Sequence, residues 1–399
     1  MNAKPLKLAI IASHPIQHFV PVYQRLTRDY GFDVKVFYMA ENGVKDSLDK
    51  DFGVQFSWDL PLLEGYDYEF VNPGKIIQRF SFEEIDSGDI HQRLDDYAAD
   101  AIWLNGYWAR VNWRVLWKEF RNHQKRRIIY SSDSNLLDHR GIATRLLKQL
   151  IVRLFLNRCD AFIAVSEQNQ RYLRHYGVPV RRIQRACYPI DMQRLIRQRD
   201  QLVADDRKGL REQYGIAEDA FVVIFSGKLV DYKRPADLVE ALVNVANPDV
   251  VILFMGDGAQ RDNIINLARE HDIQSQVVIA GFVNQSDIAR HLYAADVLAL
   301  TSSKEPFGAV VSEALPFGLP IIVSNQVGAV GENSSAQPER NALVYPWGDV
   351  KKLAHAIERL STDKELYRRF QQYSLQIVME HDTDIYCQAL SRGLSLENN

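Results

Sequence analysis

The feature that most constrains the fold of this chain is an alternation of short apolar runs with longer helical patterns, which occurs twice. Strand-length apolar runs lie at 6–12, 33–39, 101–104, 127–131 and 160–165, and again at 221–226, 250–255, 276–280, 296–300 and 320–323. Helical patterns lie between them at 18–29, 109–122, 141–157 and 166–176, and then at 235–246, 259–271, 286–294, 308–317 and 349–361. This alternation is typical of parallel sheets covered by helices on both faces. We therefore expect an α/β protein with two Rossmann-like βαβ domains facing across a central cleft.

The boundary between the two domains is predicted in a polar segment near the middle of the chain. A chain of 399 residues is long for a single core. Residues 193–219 are charged and contain no strand-like run. We therefore expect an N-terminal domain over 1–195 and a C-terminal domain over 196–375.

Composition indicates a globular protein without a membrane span. Hydrophobic residues make up 46% and charged residues 25% of the chain. The apolar run from Leu8 to Ala12 is too short for a signal peptide, and no run reaches the roughly 18 apolar residues of a span. Cys159, Cys187 and Cys387 form no C-x-x-C motif, so neither a disulfide framework nor a zinc site is indicated. We expect a cytoplasmic protein.

Charge is distributed unevenly along the chain. The stretch 121–199 holds 17 Lys and Arg against 5 Asp and Glu, although the whole chain carries −3. Such a block favours an anionic partner, namely a phospholipid surface, a pyrophosphate-linked acceptor or a nucleic acid. Within it, residues 139–158 thread basic side chains through an aliphatic helical pattern, which fits either a membrane-surface helix or a core helix. Solvated helix faces are the alternative for the block as a whole.

Two lysines follow the first strand of the second half, in "FSGKLVDYKRP" (225–235). Lys228 and Lys233 stand after the strand ends at Gly227, and Pro235 suits the first turn of the next helix. Two ammonium groups beside a helix N-terminus form a good anion site, because the helix end adds partial positive charge and N–H donors. A diphosphate would fit there, and two solvated surface lysines are the alternative.

Glycine turns follow the next two strands. "FMGDGAQRD" (254–262) matches a dinucleotide fingerprint only in part, because Arg261 stands at the third glycine position. A tight strand-to-helix turn is the preferred interpretation, and a nicotinamide site is disfavoured. After the following strand, Phe282 and Val283 either lie near a planar base or belong to the core.

Two glutamates, Glu305 and Glu313, stand eight positions apart in "TSSKEPFGAVVSEALPFGLP" (301–320). Eight helical residues rise roughly 12 Å, whereas the paired carboxylates of glycoside hydrolases lie about 5 to 9.5 Å apart. The two are therefore not expected to form a hydrolytic pair. They are better suited to bind hydroxyls at the two ends of an elongated ligand such as a nucleotide sugar, unless they are solvated glutamates around a core helix.

Taken together, these motifs resemble the retaining glycosyltransferases of the GT-B fold, in glycosyltransferase family 4. The family's E-x7-E motif matches Glu305 to Glu313, and its Gly-Arg/Lys and following Lys match Gly227-Lys228 and Lys233. Its Gly-Asp-Gly turn matches residues 256–258. The resemblance covers nearly the whole chain and is strongest from about 221 to 345. It implies that 1–195 binds the acceptor, that 196–375 binds the donor, and that a helix in 376–399 returns to the N-terminal domain.

The resemblance also implies roles for individual residues. Lys228 and Lys233 would hold the donor diphosphate, Glu305 the transferred sugar and Glu313 the ribose. The remaining donor-site residues would be Gly227 at the strand end, Phe282 and Val283 beside the base, and Phe307, Gly308, Ala309 and Val310 as backbone N–H donors. The family needs no obligatory metal, and the Asp-x-Asp at 382–384 lies in a C-terminal helical region and is discounted. We expect no cofactor, and a UDP-sugar is slightly favoured as donor.

In the N-terminal half, "ASHPIQHF" (12–19) replaces the glycine-rich loop of many members and resembles a subset of the family. Ser13, His14, Gln17 and His18 would then approach the acceptor and the donor phosphate at a helix start. His14 would donate to an oxygen there, unless it is a structural loop histidine. Asp133, after the strand at 127–131, would lie near the sugar, and a helix N-cap is the alternative.

The function expected from these residues is retaining transfer of a sugar from a nucleoside diphosphate to a glycan or lipid-linked glycan, in synthesis of cell-surface polysaccharide or glycoconjugate. Catalysis would involve Glu305, Lys233, Lys228, His14 and Asp133. Peripheral contact with an anionic membrane through 121–199 is expected, and a nucleic-acid partner is not. Two alternatives remain, a nucleotide-sugar-binding protein that performs no transfer and a sugar-nucleotide epimerase.

Overall fold

The computed structural model of the protein describes residues 4–45, 47–49, 54–78, 80–121, 126–137 and 142–395. The chain divides into two compact units. Unit 1 comprises Met1–Leu48, Gln55–Ile190 and Thr383–Asn399, and unit 2 comprises Asp49–Val54 and Asp191–Asp382.

Unit 1 is built on a seven-stranded parallel sheet with the order β5-β2-β1-β6-β7-β8-β9. Its strands are β1 (Lys7–Ala12), β2 (Asp33–Tyr38), β5 (Asp67–Phe70), β6 (Ala101–Asn105), β7 (Arg127–Ser132), β8 (Ala161–Ala164) and β9 (Ile183–Arg185), and a separate two-stranded sheet pairs β3 (Ser47–Asp49) with β4 (Val54–Phe56). Its helices are α1 (Val20–Arg28), α2 (Ile90–Tyr97), α3 (Arg110–Arg121), α4 (Ile142–Leu156), α5 (Glu167–His175) and α14 (Thr383–Ser395). The strand order reverses between β1 and β6, so the loops after these two strands begin side by side.

Unit 2 is built on a six-stranded parallel sheet with the order β12-β11-β10-β13-β14-β15. Its strands are β10 (Phe221–Ser226), β11 (Val250–Met255), β12 (Val277–Gly281), β13 (Val297–Leu300), β14 (Ile321–Ser324) and β15 (Ala342–Tyr345). Its helices are α6 (Met192–Gln201), α7 (Ala204–Gln213), α8 (Ala236–Leu242), α9 (Arg261–Glu270), α10 (Ile288–Ala294), α11 (Ala309–Ala314), α12 (Val350–Thr362) and α13 (Lys364–Ile377). The order reverses between β10 and β13. The lysine motif directly follows β10, and the glutamate motif directly follows β13.

The two Rossmann-like domains predicted from the sequence are confirmed, and each predicted strand overlaps an observed one. The edge strands β5, β9 and β15 and the separate pair β3 and β4 were not predicted. The polar segment 193–219 is largely helical, since it contains parts of α6 and all of α7. Both helices belong to unit 2, which begins at Asp191.

Helix α14 packs in unit 1 against α1 and β8. The ring of Tyr386 lies 5.5 Å from that of Trp103 on β6, and the Arg127 side chain donates to the carbonyl of Gly393 at 3.0 Å. A Cβ atom on Gly393 would lie 3.4 Å from Cβ of Ala161, so the helix approaches the sheet closely. The last described helix therefore completes the core of unit 1.

No helix among the described residues is both long enough and apolar enough to cross a membrane.

Candidate functional site

In unit 2, the predicted donor residues follow the two strands between which the strand order reverses. The loop carrying Lys228 and Lys233 follows β10, and the loop carrying Glu305 follows the adjacent β13. In open α/β sheets, ligands bind outside the carboxyl ends of the strands at this reversal. The predicted donor residues thus lie where this fold class binds its ligands.

The structure brings Lys233 into direct contact with Glu305. The Lys233 ammonium group donates a hydrogen bond to Oε2 of Glu305, and both side chains are largely buried. The same carboxylate oxygen accepts a hydrogen bond from Ser302 Oγ at 3.2 Å. The sequence had placed both residues at the site without predicting that they pair.

Backbone contacts fix both partners of this ion pair. The hydroxyl of Thr301 donates to the carbonyls of Lys233 and Arg234 at 2.8 and 2.9 Å, which ties the lysine loop to the end of β13. The amide of Glu305 donates to Gln326 O at 3.1 Å, and Gly328 N donates to Glu305 O at 3.0 Å. The pair is therefore held by two loops and is not a mobile surface contact.

Arg234 was not predicted as a site residue. Its φ of +50° is unusual for a side chain other than glycine, and its guanidinium pairs with Asp237 at 2.7 Å. This ion pair holds the backbone turn directly after Lys233. A basic residue before Pro235 was the available sequence signal, but only the structure shows the strained conformation.

The two glycine turns after β10 and β11 contact each other. Gly256 has φ +157°, and a Cβ atom there would come within 1.9 Å of the carbonyl oxygen of Gly227. Gly227 has φ +144° and donates its amide to Met255 O at 3.0 Å. Between these turns and α9, Asp257 accepts a hydrogen bond from Arg261 at 3.1 Å. Residues 256–258 therefore form the tight strand-to-helix turn that was predicted.

Glu313 is buried inside α11, with only 5% of its surface exposed. Burial raises the pKa of its carboxyl group to about 7, and the nearby positive charge of Arg194 opposes that rise. Arg194 is itself fixed by hydrogen bonds to the carbonyl and to Oε1 of Gln285, at 3.0 and 2.8 Å. Hydrogen-bond donors that approach a buried carboxyl group lower its pKa, because they stabilise the charged form.

Only part of the interval from Glu305 to Glu313 is helical. Helix α11 begins at Ala309, within one residue of the predicted start at 308, and the wide separation expected for the two carboxylates stays a prediction. Gly308 precedes the helix with φ +94°, and a Cβ atom there would lie 2.9 Å from Cδ2 of Leu300. Phe307 and Val310 are buried, and Ala309 is partly exposed. The backbone N–H roles of these four residues stay a prediction.

Phe282 and Val283 directly follow β12 and are partly exposed. Strand β12 is at the sheet edge, two strands away from β10. Their place beside a base remains a prediction. Lys228 is also partly exposed, and its contact with a diphosphate remains a prediction too.

Unit 1 contains a cavity of about 320 Å³ at the carboxyl ends of β1, β6 and β7. Ser13, predicted to approach the acceptor and the donor phosphate, and Asp133, predicted to lie near the sugar, both line it, and these roles stay predictions. The remaining lining includes the aromatic residues Phe19, Tyr23, Tyr107, Trp108, Tyr188 and Tyr386. The N-cap alternative for Asp133 is wrong, because α4 begins only at Ile142.

Asn105, Trp108 and Asn112 of this cavity were not predicted. The Asn112 side chain donates to the carbonyls of Asn105 and Gly106 at 3.1 and 2.8 Å, and its Oδ1 has no hydrogen-bond partner among the described residues. Trp108 is 63% exposed. The signal was present in "NGYW" (105–108), a polar and aromatic loop directly after β6 at the strand reversal.

His14 is next to the cavity-lining Ser13 and packs its ring on Phe80, with centroids 4.7 Å apart. Its Nδ1 is 2.9 Å from Ser13 Oγ. Burial lowers the pKa of His14 to about 4, so the ring is neutral at pH 7. Gln17 and His18 contact each other at 3.4 Å. These residues lie in the loop that leads into α1, which begins at Val20, and their approach to an acceptor or a donor phosphate stays a prediction.

Part of the basic block 121–199 is structural. Arg126 pairs with the buried Glu119 at 2.7 Å, and Arg182 donates to the carbonyl of Asp160 at 2.9 Å. Such arginines stabilise unit 1 and leave only some of the charge for a partner.

Across the described ranges, no group of three or more His, Cys, Asp or Glu side chains is arranged to hold a metal ion. The two aspartates of the discounted Asp-x-Asp have protein partners. Asp382 accepts from Gln193 at 2.9 Å, and Asp384 accepts from Tyr30 at 2.8 Å.

Comparison with known proteins extends this picture. The family model of glycosyl transferases group 1 matches residues 206–376, and that of Glycosyltransferase Family 4 matches residues 22–194. The lipopolysaccharide core biosynthesis glycosyltransferase LpsE of Rhizobium meliloti (strain 1021) is 32% identical over 178 residues, 43% of this chain and 50% of the relative. The N-acetyl-alpha-D-glucosaminyl L-malate synthase of Bacillus anthracis is 28% identical over 231 residues, 58% of each chain. The chain thus spans about half the length of these curated relatives.

A solved structure of Anabaena Alr3699/HepE has the same fold over both units. It superimposes with a TM-score of 0.73 at 18% identity, covering 98% of this chain and 100% of that one. The two family models meet near the division between the units, and between them they match most of the chain. The chain therefore belongs to the family 4 type of glycosyltransferases with the GT-B fold.

Proposed function

We propose that the protein is a retaining, metal-independent hexosyltransferase that moves a sugar from a nucleoside diphosphate sugar to a glycan or lipid-linked glycan. The observation that carries the proposal is the buried pair of Lys233 and Glu305, beside Lys228, at the strand reversal of unit 2. Family membership and the relative LpsE, named for lipopolysaccharide core biosynthesis, support a role in cell-surface polysaccharide or glycoconjugate synthesis. The proposed location is the cytoplasm.

The chemistry asked of these residues is charge stabilisation and positioning. As the bond between sugar and diphosphate breaks, negative charge develops on the departing phosphate, and the ammonium groups of Lys228 and Lys233 would stabilise it. Glu305 would accept a hydrogen bond from a hydroxyl of the transferred sugar, while its ion pair keeps Lys233 directed at the phosphate. In the proposed reaction the departing phosphate takes the acceptor proton, so no separate base is required.

The proposed donor is a nucleotide sugar, with UDP as the favoured nucleotide. Structures of HepE have been solved in complex with UDP and with UDP-glucose. In this chain Glu313 would bind the ribose hydroxyls, Phe282 and Val283 would flank the base, and the segment 307–310 would donate backbone N–H groups to sugar and phosphate.

The proposed acceptor site is the cavity of unit 1. Its aromatic walls would stack on the apolar faces of a sugar ring, and Oδ1 of Asn112 would accept from a hydroxyl group. Asp133, Ser13 and the neutral His14 would contribute further hydrogen bonds. The peripheral membrane contact expected of the basic region 121–199 belongs to the same proposal, because a lipid-linked acceptor would lie at a bilayer surface.

The test is transfer by Lys228 and Lys233 variants, with a donor first selected by thermal shift against uridine, guanosine, adenosine and thymidine diphosphate sugars. Lys228→Ala leaves the ion pair intact and should lower kcat by about a hundredfold, the scale seen when one stabilising donor is removed. Lys233→Met should lower it at least as much. Lys351→Ala, an exposed lysine on α12, is the matched control and should retain full turnover.

The products decide between the proposal and its alternatives. An α-linked product from an α-linked donor supports retaining transfer. Saturable donor binding without transfer to any acceptor would instead identify a binding protein, and interconversion of the free donor would identify an epimerase. Full activity of both lysine variants would refute the assigned roles.

A further inference from the structure

Helices α3 and α4 of unit 1 both carry large exposed apolar side chains. We call this set the apolar face, and its members are Trp117 and Phe120 on α3 and Leu146, Leu147, Leu150, Ile151 and Leu154 on α4. Leu150 is 71% exposed and Phe120 is 65% exposed, far more than core residues of these types. Large side chains that cluster in this way on a surface mark an interaction site, whereas single exposed ones do not.

The two helices are neighbours at this surface. The rings of Trp113 on α3 and Phe155 on α4 pack 4.9 Å apart, and Arg158, just after α4, lies over the Phe120 ring at 4.7 Å. The C-terminal end of α4, which carries Leu154, therefore lies beside α3.

Core packing does not explain the apolar face. Helix α4 already buries Val152, Phe155 and Leu156 against the sheet of unit 1. The exposed leucines at 146, 147, 150 and 154 follow helical spacing on a second side of the same helix. A helix that served only the core would carry polar residues on this second side.

Positive charge borders the apolar face. The guanidinium of Arg121 lies 5.1 Å from the centre of the Trp117 ring, and that of Arg158 lies over Phe120. Arg153 is exposed between the leucines, and residues 142–158 contain no Asp or Glu. Apolar and aromatic side chains flanked by arginines are the combination that binds the interfacial layer of an anionic bilayer.

We propose that the apolar face docks unit 1 onto the surface of a bilayer containing anionic phospholipid. The leucines and the two aromatic rings would enter the region between head groups and acyl chains, and the arginines would contact lipid phosphates. A second copy of the chain is a poorer occupant, because a self-complementary contact would bring two arginine-rich borders together. The inference rests on the proposed function only in that a lipid-linked acceptor would explain why such docking is useful.

Vesicle binding of the full chain, without donor or acceptor, tests this inference independently of catalysis. Flotation with phosphatidylcholine vesicles should show weak binding, and inclusion of about a third phosphatidylglycerol should increase it at least about tenfold. The double substitution Leu147→Gln and Leu150→Gln should lower binding at least about tenfold, because two apolar side chains no longer enter the bilayer. Met379→Gln, at a site of comparable exposure in unit 2, is the control and should bind as the parent does.

A charge variant and an oligomer measurement complete the test. Arg121→Gln should weaken binding to anionic vesicles and leave the weak binding to neutral ones unchanged. Equal binding of the parent chain to both vesicle types, or unchanged binding of the double variant, would overturn the proposal. So would a dimer, seen by light scattering, that the double variant converts to monomer. Transfer to a water-soluble acceptor should stay within about twofold in the double variant, so a failure of docking and a failure of the proposed function give different results.

Discussion

The buried Glu313 predicts a specific dependence of stability on pH. Burial raises the pKa of this carboxyl group from its ordinary 4.5 to about 7, and each pKa unit corresponds to about 1.4 kcal/mol. Ionised Glu313 therefore destabilises the folded state by about 3 kcal/mol at most. Its favourable, protonated form is fully present below about pH 4.5, and the benefit is lost as the pH rises through about 7.

The perturbation is Glu313→Gln, which keeps the shape of the protonated carboxyl group and cannot ionise. At pH 5 the variant and the parent should unfold with similar free energies. At pH 8 the variant should be more stable by up to about 3 kcal/mol, or roughly 6 to 12 °C in the melting temperature of a unit of this size. Thermal melts of both proteins between pH 5 and 8 measure this difference, and Glu332→Gln, an exposed glutamate of unit 2, is the control.

Donor binding should be coupled to the same ionisation. Ribose hydroxyls that donate to Glu313 favour its charged form, so binding of a UDP-sugar, whose diphosphate has no group that titrates near pH 7, should release a fraction of a proton. Calorimetry in buffers of different ionisation enthalpy detects that proton, and Glu313→Gln should abolish its release. A stability difference between variant and parent that does not change from pH 5 to 8 would refute the reasoning.

Three further outcomes are expected. Gly256→Ala should unfold unit 2 or abolish donor binding, because its Cβ atom would lie 1.9 Å from Gly227 O. Gly281→Ala is the control, since Gly281 also has a positive φ but open space around it, and it should lower the free energy of unfolding in denaturant by only about 1 to 2 kcal/mol. His14 should titrate by NMR with a pKa of about 4, and a value near 6.5 would contradict its burial. Trp108→Ala should raise the KM for acceptor at least about tenfold and leave donor affinity unchanged. An unchanged KM for acceptor would show that the cavity does not bind the acceptor.

Local sequence patterns predicted the strands and the loops that hold the donor motifs, but not which loops meet. Lys233 and Glu305 are 72 positions apart, and their contact depends on β10 pairing with β13 on one side while it pairs with β11 on the other. That pairing is a property of the whole sheet. Local sequence patterns could therefore predict that both residues follow strands, but not that their side chains meet. The same holds for the close approach of Gly256 to Gly227, which requires two strand-end turns to be adjacent.

Tertiary packing also explains the sites that were missed. The walls of the unit 1 cavity include Tyr107 and Trp108 after β6 together with Tyr386 from α14. Aromatic residues of this kind are as common in cores as in binding sites, and periodicity does not separate the two uses.

The position of α14 bears on how the protein is made by the ribosome. Most of unit 2, Asp191–Asp382, is a continuous stretch that leaves the ribosome before α14 does. Unit 1 lacks Tyr386, a wall of its cavity, until the residues of α14 have been synthesised. During translation the earlier strands of unit 1 therefore keep apolar surface uncovered while Asp191–Asp382 is synthesised. A nascent chain stalled before Thr383 should accordingly be a substrate for chaperones, and one extended past Ser395 should not.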